Sequence, residues 1–160
     1  MPAVSQGTTT TVVNAAFLQE VKESNLQLWT TLRELRAIEA DAAEPREASR
    51  DFVAALSELR DHIGLQFSLE ETYGFIEGSP TTSTFGVAQA STAKTQHREL
   101  YLQLHEICEQ VEEAQYRGTI ARDLPIYLGA FEQFDLAFKA HEDLESELIR
   151  CGLGVSKLDF

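Results

Sequence analysis

The chain is short of basic residues and of long apolar runs, and each shortage excludes a class of protein. Its 160 residues include 13 Lys and Arg against 26 Asp and Glu, which gives a formal net charge of −13. Nucleic acids and anionic bilayers attract basic surfaces, so this charge argues against both as partners. No uninterrupted apolar run approaches the roughly 20 residues of a membrane span. We therefore expect a protein that binds neither nucleic acid nor membrane.

Cysteine is also scarce, and the usual catalytic motifs are missing. Cys108 and Cys151 fall on different predicted helices, at different depths if those helices are antiparallel, which predicts free thiols in a reducing compartment. The first residues lack the charged start and apolar stretch of a secretory signal, so a cytoplasmic location is expected. There is no glycine-rich phosphate loop, CxxC pair or GxSxG elbow, and no nucleophile with an activating base. No enzymatic turnover is implied.

Apolar residues recur at helical spacing in four blocks, and no convincing period-two strand is found. The blocks, named A to D, cover residues 11–40, 45–76, 91–117 and 123–150. Helices of this length with mostly short connections predict an all-α, up-down-up-down antiparallel four-helix bundle. We expect one domain over 11–152, a flexible tail at 1–10 and a second tail at 153–160. The Thr/Ser-rich connection at 81–95 is expected to be mobile, and Gly118 to cap block C.

Each apolar stripe is interrupted by polar side chains that can bind a metal. These residues are Asn25 in block A, Gln66 and Glu70 in block B, His97 in block C, and His141 and Glu145 in block D. The start of A, the end of B, the start of C and the end of D meet at one end of such a bundle. A buried charge without a partner is strongly unfavourable, and metal coordination is one way to compensate it. The six residues are therefore predicted to converge in one pocket.

The spacing within the helices adds a chemical constraint. Side chains four residues apart lie on one face, so His141 and Glu145 direct an imidazole and a carboxylate to one point, as Gln66 and Glu70 direct an amide and a carboxylate. This mixture of ligands suits iron, zinc or manganese rather than calcium. The set Glu70, His97, His141 and Glu145 could hold one metal ion, or two with the glutamates bridging.

Three segments carry a resemblance to a known family. They are LQFSLEETYGFIEG in block B, TQHRELYLQLHEI in block C and FKAHEDLESELI in block D, the last being the most specific. With them the chain resembles the hemerythrin-like, or HHE cation-binding, family over roughly residues 14 to 150. That family is a four-helix bundle with a non-haem di-iron site, and the resemblance implies that its ligands fall on Glu70, His97, His141 and Glu145.

The resemblance implies a protein that binds or senses oxygen, nitric oxide or peroxide, or that handles iron. Asn25 and Gln66 stand where the family has histidines, and Tyr101 stands where hemerythrins proper have another. Amide oxygens bind first-row metals more weakly than imidazole, which argues against reversible oxygen carriage. Asn25 and Gln66 are interpreted as hydrogen-bonding or register-fixing residues more than as ligands, and Tyr73 and Tyr101 as core residues with a polar tip.

Two alternatives remain open. The chain could be a bundle that has lost its metal and serves as a protein-interaction module, since two family histidines are missing. A ferritin-like oxidase is the weaker alternative, because neither block B nor block D contains Glu-x-x-His.

Overall fold

A computed structural model describes residues 10–41, 44–78 and 87–152 and has an all-α fold with one short pair of strands. In chain order the elements are strand β1 (Thr10–Val13), helices α1 (Ala15–Ser24), α2 (Leu26–Ala40) and α3 (Pro45–Leu69), a π-helical turn (Glu70–Gly74), strand β2 (Phe75–Gly78), and helices α4 (Val87–Arg117) and α5 (Ile120–Gly152). The predicted all-α class is confirmed. The predicted tails, apart from Thr10, lie outside the described residues, as does the connection at 79–86.

Block A is not one helix, because Asn25 interrupts it. The backbone N–H of Asn25 donates to the carbonyl of Val21 at 3.2 Å and closes α1. Its side-chain oxygen accepts from the backbone N–H of Leu28 at 3.3 Å and caps the first turn of α2. Asparagine favours this position because its side chain satisfies a backbone donor that the first turn leaves free. The prediction of a continuous helix over 11–40 is therefore wrong at Asn25, where the helix is broken, and over residues 11–13, which belong to strand β1.

The two strands correct the expectation that the chain has none. β1 and β2 run antiparallel, with Thr10 opposite Gly78 and Val13 opposite Phe75. Each has only four residues, too few for a recognisable alternation, and the pairing joins segments far apart in sequence. β1 packs against α4 and α5, so the pair lies across one end of the helices.

The last two helices begin earlier than predicted. α4 begins at Val87 rather than 91, so residues 87–95 of the connection expected to be mobile are helical. α5 begins at Ile120 rather than 123. The predicted cap of α4 is confirmed, since Gly118 has a φ of 72°, the left-handed conformation that glycine adopts without strain.

Two apolar clusters enclose a polar layer. The larger cluster is built from α2, α3, α4 and α5 around residues such as Leu32, Leu56, Leu104 and Phe134. The smaller cluster contains Leu18, Phe75, Ala90, Ala93 and Leu148. Along α4, His97 lies between Ala93 of the smaller cluster and Leu100 of the larger one. Glu70 lies between Phe67 and Phe75 in the same way, and His141 and Glu145 lie between Phe138 and Leu148. This arrangement shields them from water on both sides.

Candidate metal centre

Four polar side chains from three helical segments meet in this layer. Glu70, His141 and Glu145 are 0% exposed and His97 is 2% exposed. Each offers one ligand atom, and the four atoms lie within 4.8 Å of one another. The predicted convergence of these four residues is confirmed, and the group is one that could hold a metal ion.

The distances between the ligand atoms are close to those around a transition metal. Nε2 of His97 lies 3.0 Å from Oε2 of Glu145 and 3.2 Å from Oε1 of Glu70. Nε2 of His141 lies 3.1 Å from Oε1 of Glu145. Nitrogen and oxygen ligands about 2.1 Å from an ion stand about 3.0–3.4 Å apart when adjacent. The three short separations therefore fit adjacent ligands of a single ion, while the widest pair, within 4.8 Å, would have to approach by up to about 0.6 Å even for ligands on opposite sides of the ion.

Several of these buried atoms lack a hydrogen bond. Among the residues that the structure describes, both carboxylate oxygens of Glu70 and Nε2 of His141 have no hydrogen-bond partner. The His141 nitrogen is close to Glu145 but its angle does not suit a hydrogen bond. A buried polar atom without a partner costs about 1–3 kcal/mol. A bound cation would give these atoms the partner that they lack.

Gln96 orients His141. Its side-chain oxygen lies 2.8 Å from Nδ1 of His141. An amide oxygen only accepts, so Nδ1 donates, and in the neutral imidazole Nε2 then keeps its lone pair. Metal-binding histidines are commonly oriented by such a contact on the nitrogen remote from the metal. Sequence reasoning missed Gln96, because nothing in its position next to His97 distinguishes an inward glutamine from an exposed one.

His97 is held by an aromatic ring and by the carboxylates. Its imidazole stacks on the ring of Phe67, with centroids 4.1 Å apart and planes inclined by 12°. Burial lowers the pKa of His97, but the hydrogen bond to Glu145 and the nearby carboxylate of Glu70 outweigh it and raise the pKa to about 9. Without a metal, therefore, His97 is protonated at neutral pH and supplies a positive charge to the cluster.

Lys22 of α1 is a second cation in the layer, and sequence reasoning missed it. Its Nζ lies 2.6 Å from Oε2 of Glu142, 2.7 Å from Oε1 of Glu145 and 3.5 Å from Oε2 of Glu70. Burial lowers the pKa of Lys22, but the charges of the three carboxylates raise it above its ordinary value. For Glu145, burial raises the pKa, while the adjacent imidazoles of His141 and His97 and the charge of Lys22 lower it well below its usual range. The lysine is thus an ammonium and Glu145 a carboxylate.

Asn25 and Gln66 bind each other next to the cluster. Nδ2 of Asn25 donates to Oε1 of Gln66 at 2.9 Å, while the Asn25 oxygen caps α2. Gln66 is buried, and its Nε2 has no hydrogen-bond partner in the described part of the chain. These contacts agree with the hydrogen-bonding role favoured above, and a ligand role for either residue stays a prediction.

The backbone at Glu70 departs from the predicted regular helix. Glu70 opens a π-helical turn, in which the N–H of Phe75 donates to the carbonyl of Glu70. Such turns occur mostly as single insertions, often at functional sites. A Cβ on Gly74, the last residue of the turn, would lie 2.3 Å from Cδ2 of Leu18. At this close approach of the turn to α1, a larger residue would have to displace the buried side chain of Leu18.

The remaining predicted residues lie outside the cluster. Tyr73 and Tyr101 are 54% and 37% exposed, so their prediction as core residues is wrong. Both cysteines are free, as predicted. Tyr101 lines a surface cleft of about 430 Å³ together with Gly64, Phe67, Ser68, Glu71, His97 and Arg98. This cleft reaches His97 from the surface.

Comparison of the chain with protein-family models, with curated proteins and with solved structures finds no match. In the described ranges, no helix combines the length and the apolar character needed to cross a membrane. Fold and site together define an all-α protein with a buried carboxylate–imidazole cluster that could hold a metal ion.

Proposed function

We propose that this chain is a hemerythrin-like metal-binding protein that holds non-haem iron through Glu70, His97, His141 and Glu145. The observation that carries the proposal is the burial of four ligand atoms within 4.8 Å of one another, several of them without a hydrogen bond. An ion would give those atoms a partner and would offset the negative charge of the buried carboxylates. Without an ion, other groups must offset that charge.

An up-down-up-down four-helix bundle is the second part of the proposal. In this arrangement α1 and α2 together form the first, interrupted helix, followed by α3, α4 and α5. The packing of α2 on α3, α3 on α4, α4 on α5 and α1 on α5 supports it. Bundle cores are a known location for carboxylate and histidine sites of this kind.

The ligand chemistry favours a first-row transition metal. Two imidazoles and two carboxylates suit iron, zinc or manganese, and the resemblance to the hemerythrin-like family selects iron. Bound iron would supply an open coordination position for a small ligand such as dioxygen, nitric oxide or peroxide. Asn25 and Gln66 in place of histidines favour sensing or iron handling over reversible oxygen carriage.

Metal analysis of purified protein tests the proposal. After anaerobic reconstitution with Fe²⁺ and removal of free ion, we expect stoichiometric iron and optical bands that change on exposure to air. His141→Ala should abolish loading, because it removes one ligand from a buried set of four. His105→Ala is the matched control, since His105 lies on α4 with a 41% exposed side chain that contacts Glu109. Equal loading of the two variants would rule out this site.

A metal-free interaction module is the second candidate, and the charges of Lys22 and His97 favour it. Both groups are cationic without a metal, so the ionised carboxylates of the cluster are already partly neutralised. The protein would then use its acidic surface to bind a partner. Full folding with no iron, zinc or manganese bound after reconstitution would support this candidate against the first.

A further inference from the structure

We infer that the ammonium group of Lys22 takes the place of a second metal ion in this cluster, so that the site holds one metal and not two. The inference rests on the proposed function, and it answers the question of one ion or two that the ligand set leaves open.

The two buried glutamates each face two cationic positions. Oε1 of Glu70 lies 3.2 Å from Nε2 of His97, whereas its Oε2 lies 3.5 Å from Nζ of Lys22. Oε2 of Glu145 lies 3.0 Å from the same His97 nitrogen, and its Oε1 lies 2.7 Å from Nζ of Lys22. Two carboxylates that each direct one oxygen to either side are arranged as bridges between two cations. Nε2 of His97 marks one of these positions and the lysine nitrogen occupies the other, while Nε2 of His141 lies 3.1 Å from Oε1 of Glu145, the oxygen that also faces the lysine.

Glu142 completes the lysine position. Its Oε2 lies 2.6 Å from Nζ of Lys22, and its side chain is 16% exposed. The ammonium therefore has three carboxylates around it, from the π-helical turn and from α5. Carboxylate oxygens are also ligands that a divalent ion such as Mn²⁺ accepts. The lysine donates to Glu142 and Glu145 and places its charge 3.5 Å from Glu70 without any ion.

Charge balance leads to the same count. With the imidazoles neutral, as ligands must be, the layer holds the carboxylates of Glu70, Glu142 and Glu145 and the ammonium of Lys22. One divalent ion brings these groups to neutrality. A second would leave two uncompensated positive charges in a layer enclosed by apolar clusters, which burial strongly disfavours. Glu71, which is 44% exposed, is too well solvated to compensate them.

The backbone of α1 holds the lysine in place. The indole N–H of Trp29 donates to the carbonyl of Lys22 at 2.8 Å, across the break at Asn25. This contact fixes the last turn of α1 relative to α2. Lys22 therefore extends from a defined position into the layer, and its side chain is only 12% exposed.

The test is the number of Mn²⁺ ions bound by the wild type, Lys22→Ala and Lys22→Met after reconstitution in excess and desalting. We expect one ion per chain in the wild type and two in Lys22→Ala, where the vacated carboxylates accept a second ion. Lys22→Met keeps most of the side-chain volume and should stay at one. Lys139→Ala is the matched control, because Lys139 is 55% exposed and contacts Asp135 rather than the cluster. Circular dichroism checks the folding of each variant.

Electron paramagnetic resonance of the Mn²⁺-loaded wild type is a second measurement that needs no variant. An isolated ion should give an uncoupled spectrum, and an exchange-coupled pair would overturn the inference. One ion in both the wild type and a folded Lys22→Ala would also overturn it, while leaving the proposed function intact. Failure of the folded wild type to bind either Fe²⁺ or Mn²⁺ would remove the proposed function itself, and the inference with it.

Discussion

The side-chain oxygen of Gln96 lies 2.8 Å from Nδ1 of His141, and this contact determines which nitrogen of the imidazole faces the cluster. The two residues come from different helices, α4 and α5. Gln96 directly precedes His97 in the chain. The same turn of α4 therefore supplies the imidazole of His97 and orients the imidazole of His141. The four-residue cluster is thus supported by a contact outside it.

Replacing Gln96 by Leu should lower the metal affinity by about 10- to 100-fold, the usual effect of losing such a contact to a metal-binding histidine. The imidazole would lose its fixed orientation while the four ligand-type residues remained. Competition with a chelator of known affinity measures the change. Gln110→Leu is the control, since Gln110 is an exposed residue of the same helix whose side chain contacts Glu106. Equal affinities for both variants would contradict this role for Gln96.

The stability of the metal-free protein should fall as the pH rises. The pKa of His97 is raised from 6.5 to about 9 in the folded state, so the folded protein binds this proton more tightly than the unfolded chain. The resulting stabilisation is complete below pH 6.5 and is lost as the pH rises through about 9; it amounts to roughly 3 kcal/mol at most. Urea unfolding of chelator-treated protein across this range measures it.

His97→Gln should flatten that dependence, because it removes the titrating group. Metal affinity should change in the opposite direction over the same range, because a metal competes with the proton for the imidazole. A wild-type stability that is constant or rises between pH 6.5 and 9 would show that His97 is not held as a cation.

A second polar contact, remote from the cluster, should matter for stability alone. Arg36 donates from Nε and Nη2 to the two oxygens of Asp135 at 2.9 and 2.8 Å, and Asp135 is 4% exposed. Arg36→Ala would leave a buried carboxylate whose one other cationic contact, among the residues that the structure describes, is the exposed Lys139. We expect a loss of about 1–2 kcal/mol, below the 3–5 kcal/mol of a fully buried pair, because Arg36 is 39% exposed. Denaturant unfolding tests it, with exposed Arg33→Ala as the control and metal loading unchanged in both.

Two glycine substitutions should have opposite effects on stability. Gly74→Ala would place its Cβ 2.3 Å from Leu18, so we expect a loss of about 1–3 kcal/mol, together with weaker metal binding because the π-helical turn carries Glu70. Gly129→Ala meets no described atom within 4 Å and lies inside α5, so it should stabilise by about 0.5–1 kcal/mol. Thermal unfolding compares the two. A destabilised Gly129→Ala would contradict the gain expected from replacing an unobstructed glycine inside a helix.

The periodic stripes of the sequence were sufficient to predict the approximate extent of the helices and the inward direction of the four clustered residues. His141 and Glu145 continue a stripe that contains Phe131, Phe134 and Phe138, and all five are buried. A residue on such a stripe is directed inward whatever its chemistry, because helical geometry fixes its direction. For the same reason, the stripes of their own helices place Glu70 and His97 in the core.

Polar residues beside the stripes could not be assigned in the same way. Lys22 is next to the buried Val21 in the chain. Its side chain is long and flexible, so its conformation determines whether the ammonium contacts solvent or the carboxylates. Gln96 is read as an ordinary surface residue until His141 of another helix is placed beside it. The break at Asn25 depends on two hydrogen bonds of its side chain: one accepted from the backbone N–H of Leu28, and one donated to Gln66, a residue 41 positions away.

The sequence by itself determined the all-α class, the approximate extent of the helices and the presence of two imidazoles and two carboxylates in the interior, because apolar periodicity is a local property of the chain. Only the tertiary structure decided the strand pair, the π-helical turn, the orientation of His141 by Gln96 and the place of the Lys22 ammonium among three carboxylates. Each of these depends on a contact between segments that are distant in the chain, and no local pattern encodes such a contact.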